Sequence, residues 1–365
     1  MKDHKKMTGL RRLGVILLSI GMLFFAVALV LRIFRLGDWS MWSILGIIPA
    51  VMGAIFFVGG KPDKKTATPV KRPERKEIDA AQKEKLDKII AYVKEQDSVL
   101  SYHIEEVKKD EPVALTDSKF GGYPYWTADR EYPTAANGEK LFLLAQINFE
   151  QLAPEDELLP KTGILQFFVE DEDLCGANFD DPTDPSGFRV IYHAQISEPL
   201  SVEELRALGI ETNTDQECKE SMLPTLHEDA IRFIKTKDYL SDASDAFEDK
   251  VKEAMSALYD WHIDGMLYHA LTAEEYAYLT EPFSSFGHKM LGEPAFTQCD
   301  PRWPEAEVPE GKKANTVEHY DTLLFQMDSL GNVMWGDSGV ANFFINSEAL
   351  KKCDFSDVLY NWDCY

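Results

Sequence analysis

The chain has 365 residues, a hydrophobic fraction of 45% and a formal net charge of −24. Residues 1–79 hold 14 Lys/Arg and 6 Asp/Glu (net +8), whereas residues 80–365 hold 24 and 56 (net −32). This acidic body excludes nucleic acid as a partner, because phosphate binding needs clustered Lys and Arg, and it favours a basic protein partner. The five cysteines are widely spaced and form no C-x-x-C pair, which excludes the usual zinc and disulfide frameworks.

Two apolar runs near the start of the chain predict a transmembrane hairpin. The two candidate helices cover residues 13–34 and 41–60, and their uncharged stretches of 19 and 20 residues match the thickness of the hydrocarbon core. Pro49 lies in the second run, where a bilayer-spanning helix tolerates it. The alternative is a cleaved signal peptide with Ala26-Val27-Ala28 as its cleavage site, although the apolar run continues beyond that site.

The basic residues around this hairpin predict its orientation. Five Lys/Arg lie in residues 1–12 and seven lie in residues 61–78, whereas only Arg32 and Arg35 separate the two runs. The positive-inside rule therefore places both termini in the cytoplasm. We predict a multi-pass protein of the cell membrane that contacts lipid through two helices. A basic N-terminus and a basic flexible linker (61–78) flank the hairpin, and a soluble cytoplasmic domain (79–365) follows.

The cytoplasmic domain combines helical and strand-like patterns. Apolar residues recur at helical spacing in four stretches. In the second of these, Ser201 and Glu204 have the spacing of a capping box. The remainder alternates as strands do, so we predict an α+β fold that is rich in β-structure. The predicted helices cover residues 77–98, 201–208, 244–260 and 272–281.

Three strand-like motifs occur twice in the same order. "KFGGYPYW", "LLAQIN" and "GILQFFV" resemble "KMLGEPAF", "LLFQMD" and "GVANFFI" at offsets of 170, 180 and 176 residues. An ordered set of three matches indicates an internal duplication, and its period is too long for a solenoid. We predict two pseudo-twofold-related halves at about 104–196 and 286–365, separated by a helical insertion at about 197–285.

Alternation within the repeated strands places carboxamide and carboxylate side chains in an apolar environment. One interpretation is that these groups satisfy each other and the backbone inside the core. The other is a polar ligand-binding site shared between the halves. The residues concerned are Gln146, Asn148, Gln166, Gln326, Asp328 and Asn342.

The tetrapeptide Gly336-Asp337-Ser338-Gly339 matches the surroundings of the nucleophile in chymotrypsin-like proteases. A serine hydrolase also needs a histidine base and an orienting acid, and no histidine here lies in a recognisable motif. Gly339 instead begins a strand that matches the one beginning at Gly163, where no serine precedes it. We therefore expect a turn and assign no catalytic residue, while keeping Asp337 as a candidate ligand-binding residue.

Two further polar segments invite a ligand. Residues 170–187, here called the acidic loop, could bind calcium through oxygen ligands, but Cys175 and Pro182 break the EF-hand pattern. The segment 297–303 places Gln298, Asp300 and Arg302 around a proline-stiffened turn, where they could hold a polar ligand or fix the loop. No Walker, Rossmann, zinc-protease or kinase signature occurs, so we expect no cofactor.

The motifs "SKFGGYPYW", "LFLLAQINF", "GILQFF", "FRVIYH", "FTQCDPR" and "MWGDSGVANFFI" resemble the YwqG-like family of bacterial proteins. The resemblance runs from about residue 80 to 365 and implies a cytoplasmic α+β domain without an established activity. It also implies an association with toxin immunity, from the settings of some members. Leu291 and Glu293 depart from the family, which tends to have Gly and Tyr there.

The combined prediction is a membrane-anchored cytoplasmic binding or interaction protein with a protein partner, of an immunity or regulatory type. The alternative is a hydrolase, or another enzyme that binds a small ligand or calcium through polar residues at the junction of the halves.

Overall fold

The computed structural model describes residues 77–96, 98–107, 112–216, 221–302 and 315–365. The predicted hairpin at 13–34 and 41–60 lies outside these ranges, and so does most of the linker. Within them, no helix combines the length and apolar character needed to span a bilayer. The described residues of the domain pack as one compact unit that begins at Lys76.

Ten antiparallel strands of the described chain form one sheet, in the order β10-β9-β8-β7-β1-β6-β2-β3-β4-β5. The two longest strands, β1 and β6, pair along their whole length at its centre. Each side of this pair carries four strands, so the order has twofold symmetry. The strands are β1 (Ser98–Val107), β2 (Lys119–Phe120), β3 (Phe142–Asn148), β4 (Ile164–Val169), β5 (Phe188–His193), β6 (Asp229–Tyr239), β7 (Lys289–Leu291), β8 (Thr322–Asp328), β9 (Val340–Ile345) and β10 (Val358–Asp363).

The long strands are exchanged between the two halves of the sheet. β1 precedes β2 in sequence but pairs with β7, and β6 precedes β7 but pairs with β2. The predicted boundaries are therefore wrong at two points, since the segment 197–285 contains β6 and a start at residue 104 divides β1. Charged residues interrupt the apolar pattern of β6, because much of the strand faces solvent.

The helices agree with the four stretches identified in the sequence. The Ser201–Glu204 capping box is present, with both reciprocal hydrogen bonds. The helices are α1 (Ala80–Gln96), α2 (Phe149–Leu152), α3 (Val202–Ala207), α4 (Asp245–Tyr259), α5 (Leu267–Ala270), α6 (Ala273–Thr280) and α7 (Ser347–Lys351), with 3-10 turns at Asn213–Gln216 and Glu281–Phe283.

Two apolar cores hold these elements together. The inner face of the curved sheet buries a ring cluster in which Phe167 lies 4.6 Å from Phe325 and 4.8 Å from Phe343, centroid to centroid. Helices α1, α4, α5 and α6 form a second, separate core. The edge strands β5 and β10 approach each other through Phe188 and Tyr360, 5.1 Å apart. The sheet is thus nearly closed into a barrel.

Candidate functional site

The carboxamides of the first half are buried and hydrogen-bonded to the backbone. Gln146 donates through Nε2 to the carbonyls of Leu115 (2.7 Å) and Asp117 (2.8 Å), and its Oε1 accepts from the amide of Tyr125 (2.9 Å). Gln166 donates to the carbonyl of Tyr125 (2.8 Å) and to Gln146 Oε1 (2.8 Å). The two side chains therefore fasten the segment between β2 and β3 to the sheet.

The second half repeats this arrangement with different residues. Gln326 donates to the carbonyls of Ser285 (2.9 Å) and Gly287 (2.8 Å) and accepts from the amide of Ala295 (2.7 Å). Asn342 donates to the carbonyl of Ala295 (2.8 Å). Each partner stands at the offset that the sequence repeat predicts. Because asparagine is one methylene shorter than glutamine, the buried Oδ1 of Asn342 accepts no hydrogen bond from the described residues.

The strand-end residues Asn148 and Asp328 also serve the backbone. Asn148 caps helix α2 by accepting from the amide of Glu150 (3.0 Å) and donates to the carbonyl of Thr116 (2.9 Å). Asp328 accepts from the amides of Gly287 (2.8 Å) and Ser329 (2.7 Å).

The structure does not bring the two polar sets to one place. The halves meet on the inner face, through Phe167 and Phe343. Since neighbouring side chains of a strand point to opposite faces, the adjacent Gln166 and Asn342 point to the outer face of the sheet. Each set then bonds to a segment of its own half, which matches the interpretation that these groups satisfy buried backbone.

The GDSG segment forms a turn. Ser338 is exposed and has a φ of +58°, and the amide of Gly339 donates to the carbonyl of Trp335 (2.7 Å). A Cβ at Gly339 would lie 2.0 Å from the carbonyl oxygen of Asp363, so only glycine fits at this strand entry. Gly163 meets the carbonyl oxygen of His193 in the same way, at 2.4 Å, as the repeat predicts. Asp337 accepts from the amide of Tyr365 through its main-chain oxygen (3.2 Å).

The acidic loop uses its carboxylates to cap its own turns. Asp181 accepts from the amide and hydroxyl of Thr183, Asp184 accepts from Ser186, and Glu172 accepts from the amides of Leu174 and Gly176. In the described parts of the chain, no three Asp, Glu, His or Cys side chains are grouped so that they could hold a metal ion. The calcium site was a hypothesis that this arrangement does not favour.

The Gln298–Arg302 segment is fixed by its own polar groups. The Arg302 guanidinium forms a forked ion pair with Asp300 (2.9 and 2.8 Å), and donates to the carbonyl of Tyr320 (2.8 Å). It also stacks 3.8 Å from the ring centroid of Phe344. Gln298 donates to the carbonyl of Cys364 (2.7 Å). Arg302 has therefore already used its recognition geometry within the chain.

Two buried ion pairs at the junction of the halves escaped the sequence analysis. Lys119 is fully buried and pairs with Glu228 at 2.9 Å, and Lys289 is 1% exposed and pairs with Asp238 at 2.6 Å. His103 also bonds to Asp238, at 2.8 Å. Burial alone would raise the pKa of Asp238, but the His103 hydrogen bond and the Lys289 charge outweigh it and lower that pKa. The 170-residue offset between the lysines was the available signal.

The accessible apolar side chains form a patch where the sheet closes. We call it the seam surface and define it by Leu174, Phe179, Met222, Met334 and Trp362. Trp362 donates to the carbonyl of Leu174 (2.7 Å), packs 6.1 Å from Phe179, and lies 5.7 Å from the ring of Trp335, the neighbour of Met334. The thiol of Cys175 donates to the carbonyl of Met222 (3.2 Å). These contacts make the surface continuous.

The seam surface is both exposed and surrounded by negative charge. Phe179, Met222 and Met334 are 50%, 56% and 53% exposed, which is unusual for a contiguous group of large apolar side chains. The acidic loop supplies seven carboxylates and no Lys or Arg, and the stretches 221–228, 332–340 and 358–365 contain no Lys or Arg either. This combination suits a partner with apolar and basic side chains.

A comparison with curated proteins finds no match. A family model described as a domain of unknown function (DUF1963) matches residues 118–364, from the residue before β2 to the end of β10. The match covers more than half of the chain and agrees with the resemblance to the uncharacterised YwqG-like proteins. The chain therefore belongs to the DUF1963 family.

Proposed function

We propose that this protein is a binding module, attached to the membrane by residues 13–34 and 41–60, whose seam surface holds a basic, partly apolar segment of another protein. The single observation that carries this proposal is the exposed apolar patch at the seam, bordered by carboxylates. Apolar anchors would supply the affinity by excluding water from Phe179, Met222 and Met334. The carboxylates would steer a basic partner and discriminate against acidic ones.

The attachment to the membrane rests on the sequence of the first 76 residues alone. Their apolar runs and their basic flanks predict a cytoplasmic domain with N- and C-termini on the same side. Protease added outside intact cells should then leave the domain uncut, and removal of the domain by that protease would contradict this topology.

We also infer that the two halves of the sheet descend from one duplicated unit. Support comes from the symmetric strand order and from the matching backbone contacts of Gln146 and Gln326. The seam surface has no such symmetry, because the acidic loop is longer than its counterpart between β9 and β10. We therefore place the binding role on the seam, where the halves have diverged.

A photocrosslinking experiment in native membranes tests the proposal. The full chain carries a photoreactive amino acid at Met222 or Met334, and a matched variant carries it at Ile234, an exposed apolar residue of β6. We expect a discrete protein adduct from the two seam positions, which high salt weakens because charge steers the encounter. Equal adducts from Ile234, or none from the seam, would overturn the binding role of this surface.

A further inference from the structure

The described chain begins beside a second exposed apolar region, on the helical side of the domain. Glu77, Ile78 and Asp79 line one cavity of about 360 Å³ together with Thr272, the N-cap of α6. Farther along α1, the ammonium of Lys85 lies 5.9 Å from the ring centroid of Tyr259. The chain therefore enters the domain next to the segment between α4 and α6.

That segment, residues 258–268, is rich in aromatic and aliphatic side chains, and we call it the aromatic segment. Met266 and Tyr268 are 61% and 63% exposed, and Leu258 is exposed as well. Trp261 and Ile263 are half-buried and pack on the helical core. An amphipathic aromatic ring with a polar edge is suited to the boundary between lipid and water.

The charges around the aromatic segment are balanced, in contrast to those of the domain as a whole. Its own acidic residues are Asp260 and Asp264, and Asp260 bonds to His262 at 2.9 Å. Helix α1 adds Lys85 and Lys88 on the same side, since both interact with Tyr259. This face therefore avoids the repulsion from anionic headgroups that the −32 body experiences elsewhere.

The chain outside the described residues keeps this face near the bilayer. The stretch 61–76, between the predicted second span and Glu77, is 16 residues long. Fully extended, it reaches at most about 55 Å, so a membrane-attached domain would have a high effective concentration at the surface.

We propose that the aromatic segment rests in the lipid–water interface and orients the domain on its membrane, an inference that depends on the membrane attachment proposed above. Leu258, Met266 and Tyr268 would enter the headgroup boundary, and the affinity would follow the apolar area that they bury. The contact is with phospholipid, and the tether makes a weak interaction sufficient.

Lipid photolabelling of the full chain tests this inference. The protein is reconstituted in phosphatidylcholine vesicles that contain a phospholipid with a diazirine near its glycerol backbone, and labelled peptides are mapped by mass spectrometry. We expect label in residues 258–268 as well as in 13–34 and 41–60. In the Met266→Asp/Tyr268→Asp variant, label in 258–268 should fall at least tenfold, while label in the spans remains.

Met222→Asp provides the matched control, because Met222 is similarly exposed but lies on the seam surface; it should leave the labelling of 258–268 unchanged. Label confined to 13–34 and 41–60 would overturn the role of the aromatic segment and leave membrane attachment intact. A lack of label in both spans would overturn the attachment itself. Equal labelling of the aromatic segment and the seam peptides would show nonspecific contact and would also overturn the inference.

Discussion

Phe179 of the acidic loop packs against Trp362 of β10, with ring centroids 6.1 Å apart, and so joins the two edges of the sheet. A related contact joins them a second time, because Phe355, between β9 and β10, lies 5.4 Å from Tyr192 of β5. Each half thus extends a phenylalanine to the edge strand of the other half. The acidic loop adds a backbone hydrogen bond, from the amide of Tyr360 to the carbonyl of Pro182 (2.9 Å).

Truncation of these two rings should loosen the seam without unfolding the domain. Phe179→Ala and Phe355→Ala remove partly exposed contacts, so each should cost about 1 kcal/mol of unfolding free energy. Hydrogen exchange at the Tyr360 amide should accelerate roughly tenfold in Phe179→Ala, as local opening becomes easier. Val99→Ala, at an exposed position of β1, is the control. Unchanged exchange at Tyr360 would show that the ring contact does not hold the seam.

A second prediction concerns the buried carboxamides. Gln326→Leu should destabilise the domain by about 3 kcal/mol, because the amide of Ala295 and the carbonyls of Ser285 and Gly287 lose their partner in a dry environment. Gln298→Leu should cost less than about 1 kcal/mol, since that side chain is exposed and donates one hydrogen bond, to Cys364. Urea denaturation compares the two, and similar losses would contradict the structural role of Gln326.

Part of this arrangement was visible in the sequence and part was not. Gln146 and Gln326 were identified as an equivalent pair because their strands carry matching motifs. Their partners were not, because the carbonyls of Leu115 and Ser285 come from loops with no pattern. The exchange of β1 and β6 was missed for a physical reason as well. Pairing across halves depends on contacts distant in the chain, which periodicity within one strand does not report.

The candidate site shows the same division. Asp300 and Arg302 were recognised as a loop-fixing pair from their spacing around Pro301, and their forked ion pair is present. The seam surface could not be predicted, because its members come from four separate segments that only the closing of the sheet brings together. The acidic loop was interpreted as a solvated hairpin or a calcium site, whereas its contacts with Trp362 and Tyr360 make it part of the closure.

Two buried histidines predict a loss of stability in mild acid. Burial lowers the pKa of His193 to about 4, with a contribution from the charge of Arg130, and burial likewise lowers the pKa of His288 to about 4. The unfolded chain binds protons below its ordinary pKa of about 6.5, whereas the folded chain resists until pH 4. Stability is thus complete above pH 6.5 and is lost as the pH falls towards 4, by about 2 kcal/mol for each histidine at pH 5.

The comparison of wild type with His193→Gln/His288→Asn checks this prediction. Glutamine at 193 can still donate to Gln166, as His193 Nε2 does at 2.9 Å, and asparagine at 288 can accept from the amide of Asp328, as His288 Nδ1 does at 3.1 Å. Unfolding free energies measured by urea at pH 7.5 and pH 5 should differ by less in the variant. An equal decrease in both proteins would assign the acid sensitivity to carboxylates instead.

The last prediction concerns Leu291, a buried leucine with a φ of +57°. The equivalent position in the first half is Gly121, with a φ of +63°. A left-handed conformation costs a residue with a Cβ about 1–2 kcal/mol and costs glycine almost nothing. Leu291→Ala should therefore lose the packing of the leucine and keep the strain, whereas Leu291→Gly should lose the same packing and relieve it. We expect the glycine variant to be more stable than the alanine variant by about 1 kcal/mol, in reverse of the usual order. At Leu350, a buried residue of helix α7, the same two substitutions should follow the usual order, with alanine more stable. Thermal unfolding of all four variants decides the question, and an alanine variant at 291 that melts above the glycine variant would show that the backbone there relaxes and stores no strain.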